Sequence, residues 1–349
     1  MITIKHPIEF PNTYPLDRIG PLKDLLFFDI ETTGFSGETS QLYLIGCTYF
    51  DGFGWKLIQW FADTRQAEKE LLDAFFEFLK RFKILIHFNG DRFDIPYLLK
   101  CCERLGLDYH FDDLISIDIF KKIKPYRKLL KLENMKQKSI EQFLGVHRED
   151  KYNGGQLIDV YREYLHTHEK FLFDLLILHN ADDLRGMPSI LPILNYADLF
   201  ESDFTLCSHK LYSYTDEAGY SHPFVNLLWE SPYSVPIPLE YTLNPLSLEL
   251  HDNCLACNLT LYEGTLKYFY PDYQNYYYLP LEDTAIHKSI GEYVDRSARK
   301  KATAKNCYSK KEAYSCLSSV LCGNLLLRKN TSPLSLTRFM MIKPCGMIP

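Results

Sequence analysis

LLFFDIETTGF, residues 25–35, is an apolar run that ends on two acids one residue apart, Asp29 and Glu31, followed by Thr32, Thr33 and Phe35. The run predicts a buried strand. Alternate side chains of a strand share a face, so Asp29 and Glu31 point one way while Phe28 and Ile30 point the other. Two carboxylates in one small space repel and raise each other's pKa unless something positive lies between them, and a hard divalent cation with oxygen ligands meets that need. Such a cation calls for further ligands along the chain.

Two other stretches supply candidates. In ILIHFNGDRFDIPYL, residues 84–98, Asn89 and Gly90 end an apolar strand and Asp94 falls at the start of the next helix. A carboxylate is favoured there by the helix dipole, and a plain N-cap would explain Asp94 equally well. In LLILHNADDLRGM, residues 175–187, His179 and Asp183 are four apart on a predicted helix and share a face, with Asp182 as a competing acid.

Taken in order, the three stretches resemble the DEDD exonuclease superfamily of the ribonuclease H-like fold, and within it a stand-alone bacterial branch of the YprB type. The first motif, Asp-x-Glu-Thr, is matched by Asp29 to Thr32; the second, Asn-x-x-x-Phe-Asp, by Asn89 to Asp94; the third by His179-x-x-x-Asp183. The resemblance covers about residues 20–200, and looser similarity continues at residues 144–161 and 268–296. In the family a histidine usually precedes the third-motif aspartate by five positions and a tyrosine by four; here a histidine stands at the tyrosine spacing.

The resemblance implies two divalent ions, Mg²⁺ or Mn²⁺, held by Asp29, Glu31, Asp94 and Asp183. Two such ions ionise a water, align it for in-line attack at phosphorus and stabilise the leaving 3′ oxygen. His179 would assist the water. Thr32, Thr33, Phe35 and Asn89 lie where they would meet the terminal nucleotide. The expected activity is 3′–5′ exonucleolytic hydrolysis of single-stranded DNA or RNA ends, and the alternative is a catalytically inactive nucleic-acid-binding module of the same fold. A third reading, a scaffold with a Tyr-rich partner-binding region, leaves the acids unexplained.

Composition narrows the class. The net charge of −6 argues against a chain coated with basic residues for duplex wrapping. Lysine and arginine are nonetheless concentrated: residues 121–138 hold eight against one acid, Glu133, and residues 288–312 hold eight against three. The first cluster, with Lys121, Lys122 and Lys124 at its start, is a candidate for phosphate contact or simply a solvated face. Ten cysteines without a signal segment read as reduced thiols, and the Cys254–Cys257 pair lacks a second pair to complete a zinc site. With no run of membrane-spanning length, a soluble cytoplasmic protein is expected.

The hydropathy pattern predicts an α/β fold, a ribonuclease H-like mixed sheet flanked by helices, with a second, smaller β-rich region. Residues 41–50 and 54–62 read as a hairpin turning at Asp51-Gly52. A helix capped by Asp63 or Thr64, with Gln66 in a capping box, carries Leu71, Leu72, Phe75, Phe76 and Leu79 on one face. Residues 83–88 read as a strand buried on both faces. Helices follow from about Ile95 to Leu105, over 139–146 and 154–167, and over 169–187, the last ending near Gly186 and Pro188. Residues 201–285 are rich in Pro, Tyr and short β-prone runs; Tyr276, Tyr277 and Tyr278 suit base stacking or alternating strand positions. Residues 285–304 read as one amphipathic helix. The expected organisation is an exonuclease domain over 1–200, a Tyr-rich accessory domain over 201–312 and an atypical tail over 313–349. That tail has no acid and three cysteines, and reads either as a poorly packed, disordered segment or as the product of a disturbed reading frame.

Overall fold

The computed structural model describes residues 1–146, 154–243 and 246–315. Strands β1 (Ile2–Pro7), β2 (Leu25–Thr32), β3 (Leu42–Phe50), β4 (Trp55–Phe61), β5 (Ile84–His87) and β6 (Ile115–Asp118) form one sheet in the order β1-β4-β3-β2-β5-β6. β1, β4, β3 and β2 pair antiparallel, while β2, β5 and β6 run parallel. A meander followed by strand–helix alternation produces such a mixed sheet. The β3–β4 turn closes where expected: Asp51 accepts bonds from the Phe53 and Gly54 amides, both at 3.0 Å, and Gly52 takes φ 99°.

The two faces of β2 do different work. Leu26, Phe28 and Ile30 enter a core with Leu71, Leu72 and Phe75 of α1 (Glu68–Leu79) and Leu98 of α2 (Asp94–Leu105). The Asp29 face lies against α6 (Lys170–Ile190), which crosses β2, β3 and β4. β5 is buried along its whole length, as its continuous apolar run predicts.

Three local expectations are corrected. Neither Asp63 nor Thr64 caps α1 through its side chain: Thr64 leads into a short 3₁₀ turn with no capping bond, and Asp63 pairs with the amino terminus at 2.8 Å. α6 does not stop at Gly186; it continues through Pro188 to Ile190. Gly186 serves packing instead, because a Cβ there would come within 2.5 Å of Glu141 Oε1 on α4 (Gln137–Phe143). Residues 285–304 are not one helix. Thr284–His287 forms a strand, only Lys288–Gly291 is helical, and Lys300–Lys301 is a strand again. The Tyr277 ring comes so close to Gly291 that a Cβ there would meet it at 2.7 Å, and Asp295 turns the chain by accepting from Ser297 N at 2.7 Å.

The described residues divide into two compact units, Met1–Phe204 with Ser231–Leu239 and Leu250–Cys254, and Thr205–Glu230 with Glu240–Glu249 and the described residues from Leu255 to Ser315. The second is β-rich, with strands between Thr205 and Ser315 arranged in five-, two- and three-stranded sheets. Tyr276, Tyr277 and Tyr278 have partners within the protein. Tyr276 stacks on Tyr270 with centroids 4.6 Å apart, Tyr277 lies 4.5 Å from the Arg299 guanidinium, and Tyr278 donates to Asp283 at 2.6 Å. The expected tail lies outside the described residues beyond Ser315. Among the described residues no helix is long and apolar enough to cross a membrane.

Candidate active site

Parallel pairing of β2, β5 and β6 brings their carboxyl ends together, and the acidic turns follow from that. The β2–β5 ladder ends at Phe27 and Ile86, so the chain beyond each strand is free to diverge. Asn89, at φ 65°, takes the left-handed conformation that asparagine tolerates, and its amide donates to Asp118 Oδ1 at the end of β6 at 2.9 Å. Asp118 also caps α3 (Ile119–Ile123) through Lys121 N. The turn so held starts α2 at Asp94, whose carboxylate lies near enough to its own amide and that of Ile30 for both to favour its charged form. Asp94 does not cap the helix, whose N-cap residue is Phe93; it sits near the backbone between Asp29 and Glu31.

α6 delivers the remaining groups. His179 Nε2 lies 3.5 Å from Asp183 Oδ2 and 3.8 Å from Glu31 Oε1, and the ligand atoms of these three residues all fall within 4.8 Å of one another. Asp182 turns away to Arg185 at 2.9 Å, which separates the two competing acids. Tyr43 OH approaches Glu31 Oε2 at 3.5 Å.

The electrostatics are those of anions crowded out of water. Asp29 and Glu31 are pushed well above the usual carboxylate range, first by burial and then by Asp183 and Asp94, and Asp94 is pushed up to about 7, mainly by burial. Among the described residues no lysine or arginine pairs with Asp29, Glu31 or Asp94. Four converging carboxylates with so little cationic compensation fit a pair of hard divalent ions by donor chemistry and by charge.

Between the ordinary aspartate value of 3.8 and about 7, the folded metal-free protein holds protons that the unfolded chain has lost, so its stability falls as pH rises through that window. Melting in chelator should come at lower temperature at pH 8 than at pH 5, with the deficit reduced by Mn²⁺. A metal-free melting temperature that rises over that interval would contradict the geometry.

The sequence-predicted substrate residues fall in two groups. Thr32 Oγ1 donates to Gly34 O at 2.7 Å, and Thr33 Oγ1 accepts from Gln41 N at 2.9 Å, so both hydroxyls shape the loop after β2. Phe35 is 94% exposed, with Phe93 6.3 Å away. Lys121 pairs with Asp91 at 2.6 Å, and Lys121 and Lys124 line a cavity of about 300 Å³ with Arg92, Asp118 and Phe120; Lys122 is not part of its wall. A second grouping, His87, Asp91 and Asp118, is bound up in internal bonds: His87 Nδ1 accepts from Gly90 N, and Ser116 Oγ links His87 Nε2 to Asp91.

Sequence reasoning missed Asn180, Gln59 and Gly46. Asn180 Nδ2 donates to Asp29 Oδ2 at 3.0 Å, and Gln59 Nε2 donates to Asn180 Oδ1 at 2.9 Å. The available signals were a glycine inside the strand pattern of residues 41–50, which marks a close approach, and a glutamine inside the apolar run of residues 54–62.

Residues 26–195 match the family described as the RNase_H superfamily. A DNA polymerase of Thermococcus kodakarensis is 31% identical over 120 residues, covering 30% of this chain and 7% of the polymerase; one of Pyrococcus glycovorans is 31% identical over 118 residues, covering 30% and 15%. The matched stretch is thus a small part of those proteins. A family B DNA polymerase structure from Pyrobaculum calidifontis aligns with TM-score 0.41 and 15% identity over 50% of this chain and 26% of that one. The matched stretch, residues 26–195, carries every acid of the site and has an RNase H-like mixed α/β fold.

Proposed function

We propose that the protein is a metal-dependent nuclease of DEDD type, a 3′–5′ exonuclease acting on single-stranded nucleic-acid ends. The observation that carries this reading is that Glu31, His179 and Asp183 bring their ligand atoms within 4.8 Å of one another, with Asp29 and Asp94 near enough to interact with Glu31 electrostatically. The archaeal DNA polymerases that share about 30% identity with part of the chain support a nucleic-acid substrate.

When bound, two Mg²⁺ or Mn²⁺ ions supply Lewis acidity toward the attacking water and the leaving 3′ oxygen. The protein does the rest. The four carboxylates hold the ions and offset their charge. His179, on the α6 face that carries Asp183, orients the attacking water and takes its proton. Phe35, exposed beside Phe93, offers a ring to the terminal base, while Thr32, Thr33 and Asn89 fix the backbone around it. Lys121, Lys122 and Lys124 attract phosphate, with Arg92 contributing from the same cavity wall as Lys121 and Lys124. The exonuclease domain takes in residues 1–200, and residues 201–312 act as an accessory domain.

The test is turnover of end-labelled single-stranded DNA and RNA. Mg²⁺ or Mn²⁺ should support stepwise shortening from the 3′ end, and Ca²⁺ should support it poorly because its larger, looser shell misplaces the water. Cleavage that persists in excess chelator would sink the proposal. Binding of single strands without any cleavage would favour the inactive module.

A further inference from the structure

We propose that Gln59 and Asn180 are positioning residues that fix the Asp29 carboxylate for its cation. This rests on the nuclease reading above and adds two residues outside the motif set. Asp29, Gly46 and Gln59 are direct neighbours across β2, β3 and β4, so their side-chain positions form one row on the sheet face that α6 crosses. The middle place in the row is empty of side chain, and Asn180 fills it. A Cβ on Gly46 would stand 2.0 Å from Asn180 Oδ1 and 2.5 Å from Leu184 Cδ1, so only glycine lets the helix approach this closely.

Within that row the hydrogen bonds have one sense. Gln59 Nε2 donates to Asn180 Oδ1 at 2.9 Å and to Ile177 O at 3.0 Å. With its oxygen engaged, the Asn180 amide must present Nδ2 to Asp29 Oδ2, 3.0 Å away. A flipped amide would set an oxygen against the carboxylate. Asp29 is thereby held by one oxygen, leaving Oδ1 to face a cation. Gln59 and Asn180 are both fully buried, and Gln59 Oε1 is buried without a partner. A buried amide with an unsatisfied carbonyl is unfavourable, and a leucine would remove that cost only by stripping the donor from Asn180 Oδ1. Fixing the Asn180 amide accounts for keeping it.

Outer-shell partners of a metal ligand typically change cation affinity or activity by about 10- to 100-fold when lost. Gln59→Leu should therefore bind Mn²⁺ about 10-fold or more weakly by calorimetry, lose kcat at limiting Mn²⁺, keep KM for single-stranded DNA within about twofold, and recover kcat as Mn²⁺ is raised. Asn180→Ala removes the donor to Asp29 without crowding Gly46 and should show the same loss of affinity, so the inference stays testable if Gln59→Leu folds poorly. Parental Mn²⁺ affinity in both variants overturns the relay and leaves the nuclease reading intact. A parent that binds Mn²⁺ without cleaving still decides the relay by calorimetry, whereas a parent that binds no Mn²⁺ overturns both.

Discussion

Asp183→Asn and Asp29→Asn should each abolish cleavage while the protein stays folded. Asparagine preserves the shape of aspartate but removes the charge that holds a divalent ion, and a barrier raised by about 4 kcal/mol already slows turnover about 10³-fold. The loss should exceed that, since the carboxylates are proposed to act together on two ions. Stability should move the other way. Asp29 lies buried among Asp183, Asp94 and Glu31, each of which pushes its pKa up. Neutralising it relieves repulsion, so the metal-free variant should melt at or above the parental temperature at pH 8. The Asn180 bond can survive, because an asparagine at position 29 still offers an oxygen to Nδ2. Single-turnover assays beside melting curves check both halves. A variant that melts much earlier yet still cuts would make these acids structural.

Local periodicity made the acidic constellation legible, and tertiary contacts made the rest hard to read. Asp29 and Glu31 could be placed on one face because a strand alternates, and His179 could be placed with Asp183 because a helix returns after four residues. Asp94 was visible as a helix start, but its reach to the Ile30 amide depends on the parallel pairing of β5 beside β2, which no short window encodes. Gln59 and Asn180 are further from view. They meet 121 positions apart, and only the strand order β4-β3-β2 with α6 laid across it sets Gln59 beside Gly46 and Asn180 over both.

The overturned local readings have the same origin. Gly186 and Pro188 are ordinary helix-ending signals, yet Gly186 is retained inside α6 because α4 needs the room, and the helix outlasts both. In residues 285–304 the amphipathic spacing is real, but Tyr276 to Leu279 offer a strand edge and Thr284–His287 pairs with it. Once those residues are in the ladder, the segment left before the Asp295 turn is too short for a long helix.

His179 carries the prediction that most sharply separates chemistry from scaffolding. Its Nε2 sits 3.5 Å from Asp183 Oδ2 and 3.8 Å from Glu31 Oε1, and the side chain is 15% exposed, so it borders the acids and still meets solvent. An imidazole there is placed to take a proton from an attacking water, a role typically worth about 10² to 10⁴ in rate. His179→Ala should lose activity in that range while Mn²⁺ affinity changes little. His179→Tyr should retain more activity than alanine, since a hydroxyl four residues before the aspartate can still orient the water. If alanine loses Mn²⁺ binding together with activity, His179 is a ligand of the ion rather than a base, an outcome its proximity to Glu31 and Asp183 makes measurable. If both variants match the parent in rate, the imidazole only fills the helix face, and the attacking water must be oriented by the carboxylates themselves.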